Sequence, residues 1–292
     1  MLLIGENLNV ISKKIGDALK QRDPVPIKEM ALAQAKAGMD MIDINLGPAR
    51  KEGPELMEWV VKTVQDAVDL PLSLDTTNIE AMDAGLRAHR GKALINSISA
   101  RPERIKSLMP LAGKYSAGFI GLTLGTEGIP RDANERGFLA AQIIAEAAGY
   151  GIPEEDVWFD PIVLPINTQQ IQVQGCTEFV MMLADLAPGS KSTCGLSNVS
   201  NGAPTHLRGI LNRTYLIMIK RYGMYSAIVD AFDAELKSIA KDERSEIESL
   251  VYRIMDGDSI DMSVLSKEQA YYVKTAKVLF GQTLYSDSWL EL

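Results

Sequence analysis

Polar side chains follow short apolar runs at ten positions of this sequence, and all but one of them are carboxylates or carboxamides. A carboxylate only accepts hydrogen bonds, whereas a carboxamide both accepts and donates them. One carboxylate can accept from two adjacent N–H groups, as it does from an arginine fork. Such a set suits a flat ligand with a donor edge, for example a 2-amino-4-oxopyrimidine, although a guanidinium or a purine fits nearly as well. The ten positions are Glu6, Asn7, Asp43, Asn45, Asp75, Asn96, Thr123, Asp160, Asn198 and Asp230.

A single Asp or Asn after an apolar run has an ordinary structural explanation, because both residues form turns. Here seven of the eight apolar runs end in Asp, Asn or Glu. That recurrence favours a shared function over a series of unrelated turns.

Lysine and histidine are missing from the same positions. Lys191 begins an apolar run instead of following one, so a Schiff-base lysine is not indicated. His89 and His206 fall in helical or loop segments, where we interpret both as surface or capping residues. Arg208 is the nearest basic residue to the seventh run, so a strong phosphate-binding site is not expected either.

Composition excludes several classes of protein. The chain has 292 residues, 46% of them hydrophobic and 23% charged, a net charge of −8, two histidines and two cysteines. A net acidic chain lacks the cationic surface that nucleic acids require. Cys176 and Cys194 suggest buried apolar residues more than a disulfide or a metal site, and no protein-bound metal is expected. No apolar run is long enough to span a membrane and no signal peptide is evident, so we expect a cytoplasmic protein.

The apolar runs alternate with amphipathic segments of helical spacing, and each gap between runs holds one helix and two short loops. Eight such units predict an α/β fold, a closed (β/α)8 TIM barrel. The alternative is a doubly wound sheet, which the absence of a glycine-rich phosphate loop disfavours. Barrel chemistry lies at the C-terminal ends of the strands, so the polar positions should converge on one rim. The runs are 2–4, 41–44, 72–74, 93–95, 118–122, 157–159, 191–194 and 227–229, and a long helical pattern covers 233–255.

The last residues form a short addition to this pattern. We expect a barrel over 1–255 and a helical extension over 256–292, in which Ser266 begins a helix. The extension either completes the outer ring of the barrel or contributes to a homodimer interface. Trp289 and the neighbouring Tyr285 favour an interface, because aromatic residues are enriched there.

The motifs that contain these polar residues resemble the pterin-binding barrel family, over essentially the whole chain. That family includes dihydropteroate synthase, the folate domain of cobalamin-dependent methionine synthase and the corrinoid methyltransferases. The resemblance is strongest to the methyltransferases that act on methyltetrahydrofolate and a corrinoid/iron–sulfur protein. Each motif is weak alone, but six occur in order with barrel spacing. They are GENLN at 5–9, MIDIN at 41–45, LSLDT at 72–76, INS at 95–97, FDP at 159–161 and GLSN at 195–198.

The resemblance implies that a methyl group moves from the position-5 nitrogen of methyltetrahydrofolate to the cob(I)amide of a separate corrinoid protein. It implies that Asp75, Asn96 and Asp160 hold the pterin and that Asn198 hydrogen-bonds the reacting nitrogen. The metal of the reaction then arrives on the partner. Supporting positions around the site are Glu6, Asn7, Asp43, Asn45, Arg208 and Asp230.

The role implied for Asn198 is consistent with its chemistry. An amide is not a general acid, but it can donate a hydrogen bond that strengthens as charge develops in the transition state. The proton that the leaving nitrogen requires could then arrive through water or through Asp75 and Asp160.

Three alternatives stay open. A dihydropteroate synthase must hold a pyrophosphate leaving group, yet the rim has few cations, and the glycine-rich stretch of that enzyme is replaced by IVLPI at 162–166. A methyltransferase with a different methyl donor is disfavoured by the pterin motifs. A non-catalytic pterin-binding module is disfavoured by the presence of Asn198.

Overall fold

A computed structural model describes residues 1–49 and 51–291. Eight parallel strands form one sheet in the order β7-β6-β5-β4-β3-β2-β1-β8. A parallel bridge between Gly195 and Ile228 brings the segment after β7 against β8, where the sheet closes. The predicted (β/α)8 barrel is therefore confirmed. The strands are β1 (Leu2–Asn9), β2 (Met41–Gly47), β3 (Leu72–Thr76), β4 (Leu94–Ser99), β5 (Gly118–Leu122), β6 (Val157–Asp160), β7 (Lys191–Ser192) and β8 (Ser226–Val229).

Helices lie between successive strands and cover the outside of the sheet. They are α1 (Lys13–Gln21), α2 (Pro24–Lys36), α3 (Gly53–Gln65), α4 (Ile79–Ala88), α5 (Pro102–Tyr115), α6 (Ala133–Gly149), α7 (Ile166–Leu186), α8 (Thr205–Arg221), α9 (Ala234–Ala240), α10 (Ser245–Met255) and α11 (Lys267–Leu279). A 3-10 turn, Leu196–Ser200, connects β7 to α8.

Two helical regions differ from the expected pattern. The helix predicted over 233–255 is divided into α9 and α10, because Asp242 adopts a left-handed φ of 63°. The Glu243 N–H there donates to the Ser238 carbonyl at 2.9 Å and so ends α9. Helix α1 was not predicted.

The first strand is longer than its apolar run indicates. Glu6 and Asn7 therefore lie within β1 instead of after it. The pairing of β1 with β2 shifts register between Gly5 and Leu8, so these two polar residues occupy an irregular part of the strand. Irregularities of this kind re-aim side chains, and they are frequent beside active sites.

The barrel interior is filled by a small apolar cluster drawn from six of the strands. Layers of branched and aromatic side chains of this type make a barrel a packed core instead of a pore. The polar residues at the mouth therefore lie directly above a closely packed apolar layer. The buried members are Ile4, Met41, Leu94, Ile120, Trp158 and Ile228.

The C-terminal segment packs on its own chain. Ser266 caps α11 in a capping box with Gln269, so the predicted helix start is confirmed. Trp289 is 2% exposed, and its Nε1–H donates to Thr275 Oγ1 at 3.0 Å. Helix α11 itself packs against α8 and α10. The division at residue 255 and the homodimer remain predictions.

Candidate functional site

The polar rim follows from the two-residue period of the strands. Alternate residues of a strand face the same side of the sheet. Met41 fills the barrel interior, so Asp43 and Asn45 follow it on the interior face of β2. The interior of the barrel thus changes from apolar to polar towards its C-terminal mouth. The same step of two residues leads from Leu94 to Asn96, from Trp158 to Asp160 and from Ile228 to Asp230.

Asp43 is the buried centre of one hydrogen-bonded group. Its Oδ1 accepts from Ser73 Oγ at 2.6 Å and from Asn96 Nδ2 at 3.0 Å. These contacts join β2, β3 and β4 across the mouth. The hydrogen bond to Asp43 fixes the orientation of the Asn96 side chain, so that Asn96 Oδ1 can accept a hydrogen bond from a ligand.

Asp75 lies beside this group, on the interior face of β3. Asn45 Nδ2 donates to Asp75 Oδ2, and Asn45 Oδ1 accepts from the Gly47 N–H at 3.0 Å. The Asn45 side chain is therefore held at both ends. As a result, the Asp75 carboxyl has a fixed orientation with its other oxygen unused by these contacts.

Burial and the neighbouring Asp43 together raise the pKa of Asp75 to about 8, although the hydrogen bond from Asn45 opposes them. Burial likewise raises the pKa of Asp43 to about 6, against the hydrogen bonds from Ser73 and Asn96. A raised pKa favours the neutral acid. The pair thus holds a proton at neutral pH, mainly on Asp75.

Asp160 lies across the mouth, at the end of β6. Its Oδ1 accepts from the Ile162 N–H at 2.7 Å. Burial raises the pKa of Asp160 to about 6, whereas backbone hydrogen bonds from Ile162 and Gly195 and the charge of Arg136 lower it. At neutral pH the carboxylate form prevails, so Asp160 offers an anionic acceptor.

Asn198 belongs to the 3-10 turn after β7, and its side chain is exposed. A Cβ at Gly195 would lie 2.9 Å from Asn198 Nδ2, so the amide packs directly on the glycine backbone. Ser197 Oγ donates to Glu6 Oε1 at 2.7 Å, which ties this turn to β1. Burial raises the pKa of Glu6, and the hydrogen bond from Ser197 partly offsets this effect.

Arg208 supports the same turn from α8. Its Nε–H donates to Ser200 Oγ at 3.2 Å, and Ser200 Oγ donates in turn to the Ser197 carbonyl at 3.2 Å. The segment that carries Asn198 is therefore held between β1 and α8.

Asn7 and Asp230 form a pair where β1 meets β8. Asn7 Nδ2 donates to Asp230 Oδ1 at 3.0 Å, and Asn7 Oδ1 accepts from the Ala231 N–H at 2.9 Å. Asp230 and Asn198 are both exposed, so this part of the mouth is open to solvent. The pair fixes the β8 loop next to the 3-10 turn.

The structure thus places nine of the ten predicted positions around the barrel mouth and links most of them in four local groups. Thr123 is fully buried after β5, where its Oγ1 donates to the Asp160 carbonyl at 3.0 Å. Ser73 and Ser197 were missed, although both lie inside the motifs that identified the rim. Ser73 stands two residues before Asp75, so the strand period alone could have indicated it. Arg136 was also missed, because nothing in the helical pattern of α6 distinguishes it.

The two cysteines lie behind Asp160 and are not exposed at the mouth. Cys176 and Cys194 are free and buried, and burial raises the pKa of each thiol well above its ordinary value. Over residues 1–49 and 51–291, no three or more His, Cys, Asp and Glu side chains are grouped to hold a metal ion. None of the helices in these ranges is long and apolar enough to cross a bilayer.

A (β/α)8 barrel with carboxyl and amide groups around its mouth has the acceptors that a flat heterocycle with a donor edge requires. The pterin binding enzyme family matches residues 5–230 of this chain. The chain belongs to that family.

Relatives by sequence include two kinds of methyltransferase. The methylcorrinoid:tetrahydrofolate methyltransferase of Eubacterium limosum is 28% identical over 232 residues, which are 79% of this chain and 85% of that protein. The methionine synthase of Mycobacterium tuberculosis is 28% identical over 264 residues, 86% of this chain but only 22% of that protein.

Solved structures with the same fold include two dihydropteroate synthases. The enzyme of Stenotrophomonas maltophilia has a TM-score of 0.64 at 16% identity, covering 84% of this chain and 92% of that one. The enzyme of Xanthomonas albilineans has a TM-score of 0.63 at 19% identity, covering 84% and 93%. At these identities the likeness establishes the fold alone.

Proposed function

We propose that this protein is a methyltransferase that moves the methyl group of 5-methyltetrahydrofolate to the cob(I)amide of a separate corrinoid protein. The observation that carries the proposal is the layer of hydrogen-bond acceptors at the mouth of a member of the pterin-binding family. These acceptors are the buried Asp43 and the partly buried Asp75, Asn96 and Asp160. The name of the Eubacterium relative supports the corrinoid half of the proposal.

In this proposal Asp75, Asn96 and Asp160 hold the pterin ring. The exocyclic amine and the adjacent ring N–H of a pterin form a donor pair that one carboxylate accepts in bidentate fashion. Asp75 Oδ2 accepts one hydrogen bond from Asn45, and each carboxylate oxygen still has a lone pair for a ring N–H. Asn96, whose amide N–H is used by Asp43, offers its oxygen to a further donor.

Asn198 acts on the reacting nitrogen. A tertiary amine leaves poorly, so methyl transfer requires stabilisation of the electron pair that stays on that nitrogen. An Asn198 N–H donates to this pair more strongly in the transition state than in the ground state. Ser197 and Arg208 hold the turn that carries the donor, so little reorganisation is needed when charge develops.

A protonated Asp75 also suits this chemistry. When the pterin N–H groups donate to Asp75, the carboxyl must lose its own proton, and burial makes that proton available near neutral pH. The proton that the position-5 nitrogen takes up when the methyl group departs is then supplied by water in the open mouth.

The partner is expected to be a corrinoid/iron–sulfur protein that docks over the open side of the mouth, near Asn198 and Asp230. The cobalt arrives on that partner as substrate. The residues at the site do not determine the direction of methyl transfer between folate and corrinoid. A site that stabilises the transition state accelerates the forward and the reverse reaction equally. Demethylation of methyltetrahydrofolate is the direction proposed here.

The test is a single assay with two arms. The protein is mixed anaerobically with 5-methyltetrahydrofolate and free cob(I)alamin, and the corrinoid absorbance is followed as methylcobalamin forms. The second arm starts from tetrahydrofolate and methylcobalamin. Transfer in either arm supports the proposal, and transfer in neither arm rejects it. A parallel incubation with a dihydropterin pyrophosphate and p-aminobenzoate measures synthase activity, which should be absent.

A further inference from the structure

Arg136 is a completely buried arginine on α6, 0% exposed. Its guanidinium donates to three neutral acceptors, the Pro161 carbonyl at 2.7 Å, the Asp132 carbonyl at 3.1 Å and Gln172 Oε1 at 2.7 Å. Burying a charge is costly unless its hydrogen bonds are satisfied. These three bonds engage each nitrogen of the guanidinium, but none of the acceptors is a carboxylate.

Those acceptors join three elements behind the mouth. Asp132 is the N-cap of α6, Pro161 follows β6, and Gln172 lies on α7. Gln172 Nε2 also donates to the Arg131 carbonyl at 3.2 Å, so the amide is fixed from both sides. Arg136 is therefore the point at which the loop after β6 is attached to the two helices that flank it.

The attached loop has a strained backbone. Ile162 has a φ of 63°, a conformation that a β-branched residue rarely adopts. Three contacts hold it there: Asp160 Oδ1 accepts the Ile162 N–H, Arg136 holds the preceding carbonyl, and Cys176 Sγ donates to the Ile162 carbonyl at 3.2 Å. Strained residues persist only where their surroundings over-determine them, and they occur mainly at functional sites.

Arg136 also acts on Asp160 through charge. Burial raises the pKa of the Asp160 carboxyl, the backbone hydrogen bonds from Ile162 and Gly195 lower it, and the charge of the guanidinium lowers it in addition. The other titratable groups that face Asp160 are the thiols of Cys176 and Cys194, and burial raises the pKa of each, so both stay neutral. Arg136 is accordingly the one positive charge that the structure places against Asp160 among the described residues.

We propose that Arg136 is a positioning residue for the pterin site: it holds the turn after β6 in the strained shape that presents Asp160, and it places a positive charge against that carboxyl. The proposal rests on the pterin-binding function proposed above. The Arg136 side chain acts on the site although it does not itself reach the mouth.

The test measures binding of 5-methyltetrahydrofolate by calorimetry at pH 6.5 and pH 8.5, with Arg136→Met compared with the wild type. We expect Arg136→Met to weaken binding at least tenfold at pH 6.5 and less at pH 8.5, because only the electrostatic part of the loss disappears once Asp160 ionises. In an Asp160→Asn background, Arg136→Met should lower the affinity for 5-methyltetrahydrofolate by a factor that does not vary with pH. Cys176→Ala removes a contact to the same loop without removing a charge, so any loss of affinity should be equal at both pH values. Glu146→Gln, at an exposed position on α6, is the control and should match the wild type.

Arg136→Lys keeps the proposal testable if Arg136→Met fails to fold. Lysine retains the positive charge but cannot make the three guanidinium hydrogen bonds. The affinity for 5-methyltetrahydrofolate should therefore fall by a similar factor at both pH values. Equal affinity and an unchanged pH profile in a folded Arg136 variant would overturn the inference. Absence of binding by the wild type would reject the proposed function itself, which is a distinguishable result.

Discussion

Pterin binding should release a proton from Asp75. Burial and the neighbouring Asp43 raise the pKa of Asp75 to about 8. At pH 7 about nine-tenths of the molecules then hold a proton on this carboxyl, from the difference of about one pH unit. A ligand that donates both of its N–H groups to Asp75 binds only the ionised form.

The size of the effect follows from that fraction. When the competent form is a minority, the apparent Kd is the intrinsic Kd divided by its population. Below the pKa of Asp75 the Kd should therefore rise about tenfold, or about 1.4 kcal/mol, for each pH unit lost. The sign is fixed by the direction of the shift: a raised pKa retains the proton, so affinity is greatest above pH 8 and declines towards pH 6.

The assay is calorimetric titration with 5-methyltetrahydrofolate in two buffers that differ in ionisation enthalpy. The difference between the two apparent enthalpies gives the number of protons released, which should be close to one at pH 7. Asp75→Asn should bind more weakly, release no proton and show little pH dependence between 7 and 8. Asp17→Asn, at an exposed position on α1, is the control and should match the wild type.

A Kd that is constant between pH 6 and 8 in the wild type would refute this reasoning. Proton release that persists in Asp75→Asn would refute it as well, because the proton would then come from another group.

Three further changes have defined outcomes. Asn198→Ala should lower the methyl-transfer rate by about 10²–10³-fold, as removal of a transition-state donor does elsewhere, while the Kd for 5-methyltetrahydrofolate changes little. Gly5→Ala should lower the free energy of unfolding by about 1–3 kcal/mol in denaturant titrations, because the new Cβ would lie 2.0 Å from Gln34 Oε1. Trp289→Phe should lower the melting temperature, because it removes a buried indole and its hydrogen bond to Thr275 at 3.0 Å.

Each of these changes has a matched control. Asn201→Ala alters an exposed amide next to the 3-10 turn and should leave the rate unchanged; equal losses of rate and affinity in Asn198→Ala would make that residue a binding group only. Gly149→Ala adds a Cβ with nothing within 4 Å and should be tolerated. Leu284→Ala changes a side chain that is 83% exposed, and a loss of stability as large as that of Trp289→Phe would contradict the packing described for the tail.

The architecture could be predicted from sequence because its signals are local. Apolar runs at regular spacing identified all eight strands, and a capping pattern located the start of α11. The two-residue period also explains why Asp43, Asn96 and Asp160 face the mouth, since each stands two positions after an interior apolar residue. Local exceptions were missed: the left-handed Asp242 between α9 and α10 has no distinctive sequence pattern.

The chemical state of the site depends on distances that the sequence does not contain. Asp43 and Asn96 are 53 positions apart yet hydrogen-bond at 3.0 Å, and the proton on Asp75 depends on its burial beside Asp43. The place of Arg136 behind Asp160 is likewise a result of helix packing. Residue types and their period thus determined which groups reach the mouth. Only the folded barrel decided which of them are charged, because desolvation and Coulomb interactions depend on separation in space and on burial.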